Sequence, residues 1–341
     1  MIDASVSRIE TSPIEIAAHD GWRLRGDRIR PDGPVVARAV LGHAMMVDRR
    51  TMDRPRGAGL ASVLVSSGIE VLNVDLRGHG DSGPSARDGG RFAYDDFVRL
   101  DVPALVAHAR GLSPRVPLVV VGHSLMGHAA ILAAGLTPSR APDAIVALAA
   151  NLWTRKLEPS TALRWAKGGA LVAWAGVMLA RNSRPSLAPG RVATSPSPAG
   201  RGLGLTRNSA LAGGGDAADE SRLARLARLG SETEPWPYVR QFLRMYFRNH
   251  IASADGSIDY EAAMGRVAVP VLSVVSDGDR LLARPASVDA FMAMLPPGRV
   301  THLRVSGLDH MGLVVRPDAA PVWMEIARWI RDRAGRAGSS Q

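Results

Sequence analysis

A chain of 341 residues exceeds the usual size of a single hydrophobic core, so one large α/β domain with an inserted subdomain is expected. Apolar residues at 46% and charged residues at 22% suit a globular enzyme, and the lack of Cys excludes disulfides, thiolate metal sites and a cysteine nucleophile. The net charge of +10 comes almost wholly from Arg scattered along the chain, with Lys156 and Lys167 as the only lysines; no nucleic-acid partner is expected, and contact with a membrane surface is not favoured.

Met1 to Glu10 carries Asp3 and Glu10 and no apolar run, unlike a secretory leader, so a cytoplasmic protein is expected. Ile14–Ala18 and Trp22–Ile29 flank the turn signal His19-Asp20-Gly21 and predict an opening β-hairpin. Apolar runs at Val35–Leu41, Val71–Val74, Leu118–Val121, Ile145–Leu148 and Val271–Val275 are short, rich in β-branched residues and bounded by Gly, Pro or Asp, as in parallel strands covered on both faces. Between them lie helix-length segments at Gly57–Ser67, Tyr94–Arg110, Leu125–Leu136, Pro285–Leu295 and Pro321–Arg333. This alternation predicts the α/β class, with a doubly wound, mostly parallel sheet.

The rhythm breaks from about Asn151 to Gly265, where helical patterns predict an inserted cap between a first core part at 1–150 and a second at 266–341. Its longest apolar stretch, Gly168–Ala180, falls short of the ~20 residues that span a bilayer, so no transmembrane helix is expected. Residues 182–221, rich in Ser, Pro, Gly and Ala, are expected to be mobile. Leu223, Leu226 and Leu229 then share one helical face, with Gly230 as a C-cap. Tyr238, Phe242 and Tyr246 recur at i, i+4, i+8 and share a face that either packs the cap or lines an acyl pocket with Trp153.

Gly122-His123-Ser124-Leu125-Met126-Gly127 follows an apolar strand and opens a helix, the context of a nucleophile elbow. Such a turn raises the Ser124 hydroxyl above the sheet and aims the Leu125 N–H at a forming oxyanion. An acid and a His must follow in chain order. His310 lies beyond the strand-like run Val300–Val305, and two acids, Asp277 and Asp279, follow Val271–Val275. This constellation predicts ester hydrolysis through an acyl-Ser124, with a thioesterase, amidase, acyltransferase or noncatalytic ligand-binding protein as rivals. His19, His108, His250 and His302 have no motif around them, and His79 and Asp81 are expected to shape a loop.

Over about 35–150 and 265–335 the chain resembles the α/β-hydrolase family, especially its lysophospholipase-like and monoacylglycerol-lipase-like esterases. The resemblance rests on the elbow, on Asp75-Leu76-Arg77-Gly78-His79-Gly80-Asp81-Ser82-Gly83 and on His43 at the end of the third strand. It implies Asp279 as the acid, Met45 as the second oxyanion N–H donor and His43 near the substrate. The implied partner is a small-molecule acyl substrate, with no cofactor and no metal. Two residues depart from the family pattern: Ala44 stands where Gly follows His43, and Met126 where a small residue follows the nucleophile by two places. Met126 is expected to be taken up by a widened gap between its helix and a neighbouring strand.

Overall fold

Eight strands, β1 (Glu10–Ala17), β2 (Arg23–Arg30), β3 (Ala37–Gly42), β4 (Ile69–Val74), β5 (Leu118–His123), β6 (Ala144–Leu148), β7 (Val271–Ser276) and β8 (Val300–Val305), form one sheet. Their order is β1-β2-β4-β3-β5-β6-β7-β8. The computed structural model describes residues 10–183 and 232–338. β1 and β2 form the expected antiparallel pair, β2 joins β4 antiparallel, and the pairings from β4 through β8 are parallel. Every residue of β3 to β7 is buried, which is why these strands read as continuous apolar runs. β1 and β8, at the sheet edges, alternate in burial.

β4 lies on one side of β3 and β5 on the other, so the winding direction reverses between β3 and β5. That reversal opens a crevice at the carboxyl ends of these two strands, the place where open α/β sheets bind ligands. Helix Leu60–Ser66 packs with Ala320–Gly338, and helix Val102–Leu112 with Leu125–Leu136. The expected helix at Tyr94–Arg110 starts at Tyr94–Asp96, widens into one π turn at Phe97–Asp101 and continues at Val102–Leu112.

Between β6 and β7 the described residues are helical and strand-free apart from an isolated bridge, Ala252 to Asp259. Ser160 accepts the Leu163 N–H at 3.2 Å and caps helix Thr161–Asn182. Helix Trp236–Arg248 packs against it. Asn182 closes the first of these helices rather than opening a structureless segment; the rest of the 182–221 expectation beyond Ser183, and the Arg222–Leu229 helix, lie outside the described residues. No helix among the described residues is long and apolar enough to cross a membrane.

Candidate active site

β5 runs directly into the turn at Gly122-His123-Ser124, and Ser124 sits at φ 49°, ψ −105°. A serine in this left-handed region is strained and is held there only by its surroundings. The Ser124 N–H donates to the Leu148 carbonyl of β6 at 2.8 Å. A Cβ on Gly122 would lie 2.3 Å from the Gly127 nitrogen, so only glycine allows strand and helix to meet so closely. Leu125 begins the helix, and its N–H is one of those a helix leaves without an internal acceptor.

Met126 is fully buried, and the space for it is found on β3. A Cβ on Gly42 would lie 2.3 Å from Met126 Cγ and 2.8 Å from its Cβ. The room therefore comes from a side chain missing at Gly42, where a widened gap was expected.

His310 follows β8 and Asp279 follows β7. Their side chains meet with Nδ1 2.6 Å from Oδ2. Asp279 also accepts the N–H groups of Leu282 and Ala283, each at 2.9 Å. Burial alone would push its carboxyl up, but His310 and these two N–H groups hold it below the usual carboxylate range. Asp277 points elsewhere and accepts the Gly307 N–H at 2.8 Å.

Beyond β3, Ala44, Met45 and Met46 form a loop over the elbow, and Met46 adopts φ 62°. His43 does not reach the cavity wall, contrary to the expected substrate contact. Its Nε2 accepts the Leu76 N–H at 3.0 Å and its Nδ1 donates to the Ala44 carbonyl at 2.7 Å, which ties this loop to the one after β4. Both ring nitrogens are used inside the protein, so none is left for a ligand. Burial, and then the nearby His79, lower the His43 pKa to about 3, so the ring is neutral as these bonds require.

The profile of the family described as serine aminopeptidase, S33, matches residues 39–208, about half of the chain. DcsB in complex with a substrate analogue aligns with a TM-score of 0.60 and 17% identity over 95% of this chain and 99% of that one. A putative aryl esterase from Burkholderia cenocepacia aligns at 0.55 and 15% over 95% and 100%, and a Paleococcus ferrophilus monoacylglycerol lipase at 0.52 and 17% over 96% and 99%. No curated protein matches the chain. The chain belongs to the α/β-hydrolase family.

In this α/β hydrolase, Ser124, His310 and Met45 face one cavity of about 180 Å³. Trp153 and Phe242 line it, together with Leu171, Trp174 and Met178 of helix Thr161–Asn182. Tyr246 does not line it: it is buried along the same helical face as Phe242, but its hydroxyl donates to the Arg164 carbonyl, so it fastens helix Trp236–Arg248 to helix Thr161–Asn182. Trp165 points to solvent.

Sequence reasoning missed four residues around the site of this hydrolase. His123 Nε2 donates to the His310 carbonyl at 3.0 Å and holds the loop that carries it. His128 and Asn151 line the cavity. Glu234, fully buried just before the second inserted helix, accepts the Met46 N–H at 3.0 Å and pairs with His79 Nε2 at 3.0 Å. His123 stood in the quoted elbow and His128 directly after it. Asn151 and Glu234 carry no sequence signal. The loop after β4 is shaped as expected: Asp75 accepts the N–H groups of Arg49 and Asp81, and Arg77 binds Asp101 and Asp20.

Proposed function

We propose that this hydrolase cleaves a carboxylic ester through an acyl-Ser124 intermediate. The observation that carries this reading is the His310–Asp279 pair at 2.6 Å opening on the same largely apolar cavity as Ser124, whose strained backbone lifts it to the cavity wall. In this reaction His310 takes the Ser124 proton as the hydroxyl attacks the ester carbonyl, then gives it to the leaving alcohol. Asp279 keeps the proton on Nδ1 and stabilises the imidazolium. The tetrahedral oxyanion accepts from the Leu125 and Met45 N–H groups. Water, activated by His310 in the second half, releases the acid and restores Ser124.

The putative aryl esterase and the monoacylglycerol lipase that share the fold support an ester over an amide. Residues 151–265 serve as a cap whose helices wall the acyl site with Leu171, Trp174 and Phe242. A fluorophosphonate probe, which reacts with an activated serine, should label the wild type and release its fluoride. The Ser124→Ala protein should remain unlabelled and hydrolyse no ester. Labelling that survives this substitution would place the nucleophile elsewhere.

A further inference from the structure

The cavity wall is apolar except at a few points. Besides Ser124 and His310, the side chains there that carry a nitrogen or oxygen outside an indole ring are His128, Asn151 and Arg181. Asn151 is 94% buried by its 6% exposure, and its Nδ2 is enclosed without a hydrogen-bond partner. No hydrogen bond from the described residues reaches its Oδ1 either, and Oδ1, unlike Nδ2, is not enclosed, so it is the end of the amide left accessible. A buried amide left in this state costs about 1–3 kcal/mol, and a ligand O–H that donates to Oδ1 offsets the acceptor end of that cost.

His128 stands beside it. A Cβ on Gly127 would lie 2.7 Å from the Ala150 Cβ, so the chain segments that carry His128 and Asn151 touch at the preceding residue of each. The His128 ring is neutral, since burial and then the charge of nearby His310 lower its pKa to about 3. The Tyr94 hydroxyl lies 2.7 Å from His128 Nδ1 and stays protonated in its buried setting. Nδ1 is the one hydrogen-bond partner of that hydroxyl among the described residues, so Tyr94 donates and Nδ1 accepts. The remaining ring proton is then on Nε2, the ring nitrogen left to the cavity.

We propose that His128 and Asn151 form a hydroxyl-binding subsite, and that the ester cleaved here carries a hydroxyl group on its acyl or its alcohol part. A hydroxyl is both acceptor and donor: it accepts from His128 Nε2–H and donates to Asn151 Oδ1. A ketone or ether would leave Asn151 Oδ1 unpaired, and a hydrocarbon would leave both unpaired. The inference rests on the ester hydrolase reading and names its substrate class.

The test pairs each hydroxy ester with the analogue that has methyl in place of hydroxyl, followed by proton release at constant pH. The acyl arm sets methyl 2- and 3-hydroxybutanoate against methyl 2- and 3-methylbutanoate. The alcohol arm sets 2-hydroxyethyl and 3-hydroxypropyl butanoate against propyl and butyl butanoate. In one arm the wild-type kcat/KM should favour the hydroxy ester by about tenfold or more, as a site built around a hydroxyl does. That ratio should fall to within about twofold of unity in Asn151→Leu, and be reduced in His128→Phe. Asn151→Ala repeats the measurement if Asn151→Leu does not fold, with thermal melting as the check. Turnover of all the esters with every ratio within twofold, or a preference that survives Asn151→Leu, overturns the subsite alone. No turnover of any ester by a protein that folds overturns the ester reading, and the subsite with it.

Discussion

At position 126 the elbow holds a methionine, and what makes room for it is a glycine on another strand. Gly42→Ala should therefore drive a methyl group into Met126, destabilise the protein by about 1–3 kcal/mol in urea and lower kcat through the elbow. Met126→Ala in the same chain should recover most of both losses, a coupling that a double-mutant cycle would expose. The sequence showed Met126 as a misfit but not its remedy, because Gly42 becomes its neighbour only once β3 lies beside β5. The acid was easier to place near His310, since one helix and one strand separate Asp277 and Asp279 from it, and the family resemblance points to Asp279 of the two. Asp279→Asn should cost about 10³–10⁴-fold in kcat by releasing the histidine tautomer. Asp277→Asn should cost only a few-fold, because the amide oxygen can still accept the Gly307 N–H; equal losses at the two positions would undo the assignment.

Among the elements, the strands were the most legible, since burial on both faces leaves a continuous apolar run that few helices share. The inserted helices were legible by periodicity, though not in which aromatic side chain faces the cavity and which faces the neighbouring helix. Least legible was the link between the second inserted helix and the loop after β3, which depends on the single acidic residue Glu234. Burial would lower the His79 pKa, but the charge and hydrogen bond of Glu234 overcome it and raise the pKa to about 9. A raised histidine pKa stabilises the fold fully below about 6.5, and that contribution is lost as pH rises through about 9. Urea unfolding at pH 6 and pH 9 should show this loss in the wild type and a much smaller one in Glu234→Gln. Glu234→Ala, which also frees the Met46 N–H, should reduce kcat by about a hundredfold, the scale of a misplaced oxyanion donor, with little change in KM.

For the molecule as a whole, an ion pair buried inside the insertion is tied to Ser287 of the second core part, so a hydrogen bond as well as packing joins insertion and core. Lys167 Nζ donates to Glu158 at 2.6 Å, Ser287 donates to the other carboxylate oxygen at 2.9 Å, and the ammonium lies 4.9 Å from the Trp153 ring centre. Burial pushes the Lys167 pKa down, against the pull of Glu158. Removing one partner strands the other charge, so Lys167→Met alone should cost about 3–5 kcal/mol, measured by urea unfolding. Lys167→Met with Glu158→Leu should cost less than Lys167→Met alone. The doubly wound class followed from the alternation of segments, whereas this ion pair joins residues that have no pattern to announce them. The Glu234 contact has a consequence for how such a protein can be rebuilt. The insertion supplies the carboxylate that keeps a histidine of the sheet's own loop charged, and that same carboxylate fixes the backbone beside the proposed oxyanion donor Met45. A cap transplanted from a relative would thus have to bring an acid to the same point, or be accompanied by a neutral replacement for His79. Core and insertion are in this sense one inheritance, and exchanging the insertion alone would first remove the partner that holds the loop after β3.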